Sequence, residues 1–154
     1  MIELLDLRTF INYVKAWADP DQDLKYFQYG GIERGLAFAR GHEDFAYPFA
    51  WLEQPVIVSE DNEMGNTNEE FVCGLSVLYN YDGSEHEAYI DAQANALKIL
   101  YRFQKKMRHD VNDGKIVTTI RGMKKEPVSD LWIDKHAGYR LEFRLSLNAN
   151  RLLC

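Results

Sequence analysis

The chain has 154 residues, 46% of them hydrophobic and 13% aromatic, and a formal net charge of −6. This suits one core and one domain spanning residues 1–154; no apolar run reaches the ~18 residues of a membrane span, and two cysteines supply neither a disulfide framework nor a zinc site. The charge is uneven, net −9 over residues 1–70 and net +3 over residues 71–154, so the acidic half is set to repel nucleic acid or to face a basic partner, or else the halves are two ordinary solvated faces.

Met1-Ile2-Glu3-Leu4-Leu5-Asp6 lacks the basic start and long apolar stretch of a signal peptide, which predicts a chain that is cytoplasmic where it is made. Leu4, Leu7, Phe10, Ile11, Val14 and Trp17 recur at three- and four-residue steps and predict an amphipathic helix over residues 3–18, ended by Asp19-Pro20-Asp21. Leu24, Tyr26, Phe27 and Tyr29 lead to a break at Gly30-Gly31, a short helix is expected over 32–40, and Gly41-His42-Glu43-Asp44 reads as loop. Residues 47–58 form an extended apolar strand whose Pro48 and Pro55 call for an edge, an interruption or a bend, because proline donates nothing to a ladder. Residues 59–68 are polar, acidic and aperiodic, which predicts a long, mobile hairpin connection.

The second half carries the strongest patterns. Phe71, Cys73, Leu75, Val77 and Tyr79 alternate within residues 69–80, and Tyr139, Leu141, Phe143, Leu145 and Leu147 alternate within 139–148, the period of half-buried strands. Between them, residues 85–109 have helical spacing, with Tyr89, Ala92, Ala96, Ile99, Leu100, Phe103 and Met107 as the inward stripe. Ser84 and Glu87 have capping-box spacing, and Lys105, Lys106, Arg108 and His109 suit the negative end of the helix dipole. Asn112-Asp113-Gly114 turns the chain into a strand over 115–121, and 122–138 reads as an irregular connection. The fold class expected is α+β: a small, mostly antiparallel sheet covered by one long helix, with an N-terminal amphipathic helix.

No residue set announces catalysis. His42, Glu43 and Asp44 are loop neighbours and do not converge as a metal or acid–base site must. Glu87, beside His86, is explained by capping, and His136 stands in a connection with no obvious partner. Gly30, Gly31 and Gly35 lack the Gly-Lys-Ser/Thr of a phosphate loop, and no nucleophile motif occurs. Cys73 reads as a buried thiol and Cys154 as incidental. Lys115, Arg121, Lys124 and Lys125 make a basic group without interleaved aromatics, which favours a subunit interface or solvated surface over a single-strand reader. Trp51 and Trp132, in an edge strand and a connection, are candidate partner anchors or core residues.

The element order resembles the tail-terminator family of tailed bacteriophages and the related neck-ring, head–tail connector and tail-completion proteins. The matching pieces are Tyr47-Pro48-Phe49, the 59–68 loop, the strand at 71–79, the helix at 85–109, the strands at 115–121 and 139–147, and the polar run 130–138 ending in glycine. The stretch 22–40 is longer and more aromatic than a minimal terminator requires. The resemblance implies a structural virion protein, a hexameric or dodecameric ring in the neck or tail around the DNA channel. Its partners would be itself and portal, neck or tail proteins, with DNA passing without sequence-specific binding. It implies no catalytic residue, no cofactor and no membrane, and a place in the virion after assembly in the host cytoplasm. Glu60, Asp61, Glu63, Glu69 and Glu70 would line the lumen or form a docking loop, and Trp51, Trp132, Arg121, Lys124 and Lys125 would lie at interfaces. The competing readings are a cellular α+β protein-binding module that uses Trp51 and Trp132, and a small enzyme that uses His42 or His136.

Overall fold

Asp6 decides where the first helix begins. Its Oδ1 accepts from the Arg8 N–H at 2.7 Å, while Thr9 Oγ1 accepts from the Leu5 and Asp6 N–H groups at 3.1 and 3.4 Å, a reciprocal cap. The helix α1 therefore runs Leu7–Ala18, and the residues before it are extended. Ile2 donates to the Lys115 carbonyl and Leu4 to that of Asn148, both at 2.7 Å. The helix expected from residue 3 is corrected accordingly: Leu4 is buried, but from an extended arm whose spacing happens to continue the helical stripe.

The computed structural model describes residues 1–31, 41–118, 122–129 and 135–153; the helix expected over 32–40 lies outside them. The fold is α+β, with one six-stranded sheet. Its strands are β1 (Tyr26–Tyr29), β2 (Phe49–Leu52), β3 (Val56–Asp61), β4 (Thr67–Asn80), β5 (Lys124–Ser129) and β6 (His136–Asn148). A long helix, α2 (His86–Asn112), follows β4, and a short one, α3 (Asn150–Leu153), follows β6. The order across the sheet is β1-β2-β4-β6-β5, with β3 also paired to β4. All pairs are antiparallel except β1 with β2.

The apolar alternation of β4 and β6 sets the two faces. Phe71, Cys73, Leu75 and Val77 pair with Leu145, Phe143, Leu141 and Tyr139 and face the helices. Ala96, Ile99, Leu100, Phe103 and Met107 of α2 and Phe10, Val14 and Trp17 of α1 complete this core. The Phe10 ring stacks on Phe71 at 4.6 Å, and Phe103 lies 4.8 Å from Trp17 and 5.3 Å from Phe143. A smaller cluster forms on the other face, where Phe49, Trp51 and Leu78 pack with Phe45, Tyr47 and Tyr26.

The remaining departures from expectation have local causes. Residues 47–58 are not one strand: the chain breaks between Leu52 and Val56, with Pro55 in the gap, and β2 and β3 take successive stretches of one side of β4. The run before Gly30 forms the edge strand β1. Ser59, Glu60 and Asp61 lie in β3 and Thr67 and Asn68 in β4, so the long connection shrinks to residues 62–66. The Ser84–Glu87 capping box does not form, because the Ser84 hydroxyl donates to Asp82 Oδ1 at 2.9 Å and Glu85 is the N-cap without a side-chain bond. The strand expected over 115–121 is, in its described part, a single bridge between Val117 and Ser146. Residues 119–121 lie outside the described residues. The edge strand is β5 instead, within the stretch read as an irregular connection.

Two ionic contacts tie the helices to the frame. Arg102 of α2 bonds both Asp21 oxygens and Asp23 Oδ2, each at 2.8 Å, and so holds the exit from α1. Asp110, buried near the end of α2, accepts from Tyr13 at 2.8 Å and Lys106 at 2.6 Å. Burial opposes its charge, but the bonds from Lys106 and Tyr13 outweigh that and hold the Asp110 carboxyl below its ordinary value.

Two outcomes follow. Phe103→Ala, which empties a fully buried ring site, should cost about 3–5 kcal/mol in urea or thermal unfolding. A lowered folded pKa contributes stability that is present above the unfolded value of about 3.9 and is lost as pH falls through the folded value. The wild-type urea midpoint should therefore drop as pH falls below about 4, and Asp110→Asn should flatten that acid limb.

Candidate assembly surface

The strand β3 departs from how sheet edges are usually protected. Its six residues, Val56-Ile57-Val58-Ser59-Glu60-Asp61, are all exposed. It pairs with β4 on one side, and among the described residues no strand pairs with the other. Ile57 faces Phe71 across the ladder and so lies on the helix side, while Val56 and Val58 face Val72 and Glu70 on the open side. Apolar side chains are thus presented on both faces of a free edge, an arrangement that invites pairing unless charge or a partner intervenes. Val56 is 67% exposed and Met64, at the hairpin tip, 87%.

The tip is built by side-chain turn bonds. Asp61 Oδ1 accepts from the Glu63 N–H at 2.7 Å, and Asn62 Oδ1 accepts from the Met64 and Asn66 N–H groups at 2.9 and 3.0 Å. Glu63 and Gly65 take left-handed backbone, with φ of 57° and 79°. Asn150 Oδ1 accepts from the Thr67 N–H at 2.6 Å and ties the base of the hairpin to the C-terminal turn. The expectation of a long, aperiodic connection is corrected: five residues, 62–66, make the turn, held by asparagine and aspartate bonds that composition alone reads as loop.

The five acidic residues singled out in this region separate into two groups. Glu69 accepts from the Ser59 hydroxyl at 2.6 Å, and Glu70 pairs with Arg144 at 3.1 Å. Glu60, Asp61 and Glu63 make no ion pair among the described residues. Partial burial and the neighbouring Glu70 carboxylate push the Glu60 carboxyl above its usual range. The open face of the sheet beyond is internally neutralised. Arg140 forms a two-pronged bond with Glu53 at 2.7 and 2.8 Å and lies 3.5 and 3.7 Å from Glu142 and Glu126.

The other candidates fall as follows. Trp51 is 4% exposed, and its Nε1–H donates to the Gly30 carbonyl at 2.8 Å. Of the two readings open for it, partner anchor or core residue, the second holds, because its neighbours Phe49 and Leu78 make it part of the smaller core. Lys124 is surface-exposed and paired with Glu126 at 2.5 Å, and Lys125 lies 5.2 Å over the Tyr101 ring. Trp132 and Arg121 lie outside the described residues. His42 stays in a turn, where Nδ1 accepts from the Asp44 N–H at 3.3 Å and the ring lies 5.8 Å from Tyr26. His136 is not in a connection; it is fully buried as the first residue of β6 and stacks on Tyr47 at 6.4 Å. Burial pushes the Cys73 thiol up to about 12, and its Sγ–H donates to the Glu53 carbonyl at 2.9 Å. Among the described residues, no three His, Cys, Asp or Glu side chains converge as a metal site, and no helix is long and apolar enough to cross a membrane.

One surface was not singled out from the sequence. Tyr101, Gln104, Lys105, Arg108, His109 and Asn112 of α2, with Lys125 of β5, line an open groove of about 530 Å³ that has no acidic wall among the described residues. Lys105 and Arg108 looked like partners of the helix dipole. In the structure Lys106 alone of this cluster turns inward, to Asp110 and to the Tyr13 ring at 4.5 Å. The signal was the four- and three-residue spacing of Tyr101, Lys105 and Arg108, which puts them on one helix face.

No protein-family model matches this chain, and no curated protein matches it either.

If the apolar residues of β3 are surface and not core, Val56→Lys with Val58→Lys should shift the stability of the subunit by less than about 1 kcal/mol. Phe71→Ala, removing their buried neighbour on β4, should cost about 3–5 kcal/mol. Chemical denaturation of the subunit at low concentration checks both. The double lysine variant should also bind less of an apolar dye such as ANS.

Proposed function

We propose that this chain is a structural virion protein that assembles as a ring, a tail terminator or head–tail connector around the DNA channel in the neck or tail of a tailed bacteriophage. The observation that carries the reading is β3, an edge strand exposed along its whole length with Val56, Ile57 and Val58 uncovered. It is held in a stiff sheet and ends in an acidic turn. Such an edge serves a subunit that spends its working life against a neighbour. An acidic surface around a channel also lets duplex DNA slide, because it offers phosphates nothing to hold. The partners are further copies of the chain, as a hexamer or dodecamer, and the portal, neck or tail proteins above and below. Assembly takes place in the host cytoplasm and the product resides in the virion.

The alternative, a cellular binding module that grips a partner with Trp51 and Trp132, loses one of its two anchors because Trp51 is buried. Native mass spectrometry over a wide concentration range, paired with negative-stain microscopy, separates the two. Closed hexamers or dodecamers are expected. A species that stays monomeric or dimeric at every concentration, and adds to no ring when mixed with purified phage necks or tails, overturns the proposal.

A further inference from the structure

Two surfaces of this chain carry opposite charge that the other described residues do not neutralise. The hairpin contributes Glu60, Asp61 and Glu63 around the exposed Met64, with no ion pair to these three among the described residues. The groove contributes Lys105, Arg108 and Lys125 around Tyr101, a residue 54% exposed. None of these three cations is in an ion pair among the described residues. The hairpin has no basic residue from Val56 to Glu70, and among the described residues the groove wall has no acidic one.

Their placement matters as much as their sign. On either side of the central β4–β6 pair lie β3, along the N-terminal half of β4, and β5, along the stretch of β6 that faces the C-terminal half of β4. The hairpin stands at one edge, and Lys125 of the groove stands on the strand at the other. Lys125 pairs with Leu141, which lies opposite Leu75, whereas Glu60 pairs with Asn68. With strands about 4.8 Å apart and residues about 3.4 Å apart along a strand, the two patches are separated by roughly 14 Å across the sheet and roughly 24 Å along it. Two complementary patches on opposite edges suit two copies placed side by side in the same sense, with the edge of one against the far edge of the next. A contact of that kind is heterologous, and it closes into a ring whenever the rotation per subunit divides a full turn.

We infer that the β3–β4 hairpin of one subunit docks in the Tyr101–Lys105–Arg108–Lys125 groove of the next copy, an inference that rests on the self-assembling reading above. Glu60, Asp61 and Glu63 meet Lys105, Arg108 and Lys125, and Met64 packs on the Tyr101 ring, a sulfur–aromatic contact. Desolvating these charges in a paired contact sets register and excludes mismatched neighbours. The contact does not require strand pairing with β5, whose Pro127 has no N–H to donate.

Reciprocal charge reversal tests the contact. The hairpin variant carries Glu60→Lys, Asp61→Lys and Glu63→Lys; the groove variant carries Lys105→Glu, Arg108→Glu and Lys125→Glu. Each alone should lose the oligomer in native mass spectrometry, with subunit affinity weakened roughly a hundredfold or more. Mixed one to one they should assemble again, because each reversed hairpin finds a reversed groove and each unaltered hairpin an unaltered one. A chain with all six substitutions should assemble by itself. The neutral set Glu60→Gln, Asp61→Asn and Glu63→Gln should give an intermediate loss with an unchanged melting midpoint, which guards against misfolding of the reversed forms. Rings that form normally from either reversed variant overturn this contact and leave the ring reading standing, as does a mixture that fails to recover. A groove variant that keeps its ring but loses binding to a short DNA duplex also overturns the contact and assigns the groove to phosphate. A wild-type chain that never assembles overturns the ring reading itself, and this contact with it.

Discussion

The ladder between β4 and β6 is the constraint on which the rest depends. It runs from Asn68 opposite Asn148 to Asn80 opposite His136 without a break. Its register decides which side chains face α1 and α2, and a slip of one residue would turn Phe71, Leu75, Phe143 and Leu145 toward the open face. Gly138 helps fix it, since a Cβ there would collide with the Val77 carbonyl. With the ladder set, the other side of β4 becomes a template. Its C-terminal half takes β2 and its N-terminal half takes β3, and the hairpin that begins at Val56 is thereby aimed beyond the packed core.

The ion pairs then stiffen what the ladder positions. Arg102 draws Asp21 and Asp23 against α2, and Asp110 anchors α1 to α2 through Tyr13 and Lys106. Because α2 also carries Tyr101, Lys105 and Arg108, the same helix that covers the core holds the groove at a fixed distance from the hairpin. For the proposed ring, the link from packing to function is rigidity. A closed ring needs the same angle at every contact, and a subunit whose two contact surfaces moved independently would give open chains.

Burial made part of this legible in the sequence, and pairing hid the rest. The alternation in β4 and β6 and the stripe of α2 could be read because each element has one face in the core, and its period reports that face. β5 could not, because an edge strand reading Lys-Lys-Glu-Pro-Val-Ser has no apolar period and contains a proline. β1 is four half-buried residues, too short for a period, and its parallel partner is more than twenty residues away. The position of the hairpin is legible in the sequence but its length is not, because Asp61 and Asn62 bond the turn backbone locally. The groove escaped because one run of basic residues splits by direction. Lys106 points in and Lys105 and Arg108 point out, and only the phase of the helix against Asp110 tells them apart. Anchor and core could not be told apart for Trp51 for the converse reason: the cluster that buries it draws Phe45 and Tyr47 from a segment with no period at all.

The chemistry of β3 presents a conflict that its own sequence resolves. Val56, Ile57 and Val58 on a free edge would pair with any other exposed strand, the ordinary route to aggregation. Glu60, Asp61 and Glu63 follow immediately, so two hairpins that approach each other bring like charges together before their apolar residues meet. The repulsion is screened over about 8 Å at physiological salt, far enough to act at contact and too short to disturb the rest of the molecule. A neighbour that offers positive charge removes the barrier and gains the apolar surface as well. On the proposed contact, the same acidic residues that would keep free subunits apart select the surface against which the strand is covered, and among the described residues the groove on α2 presents cations without an acidic wall.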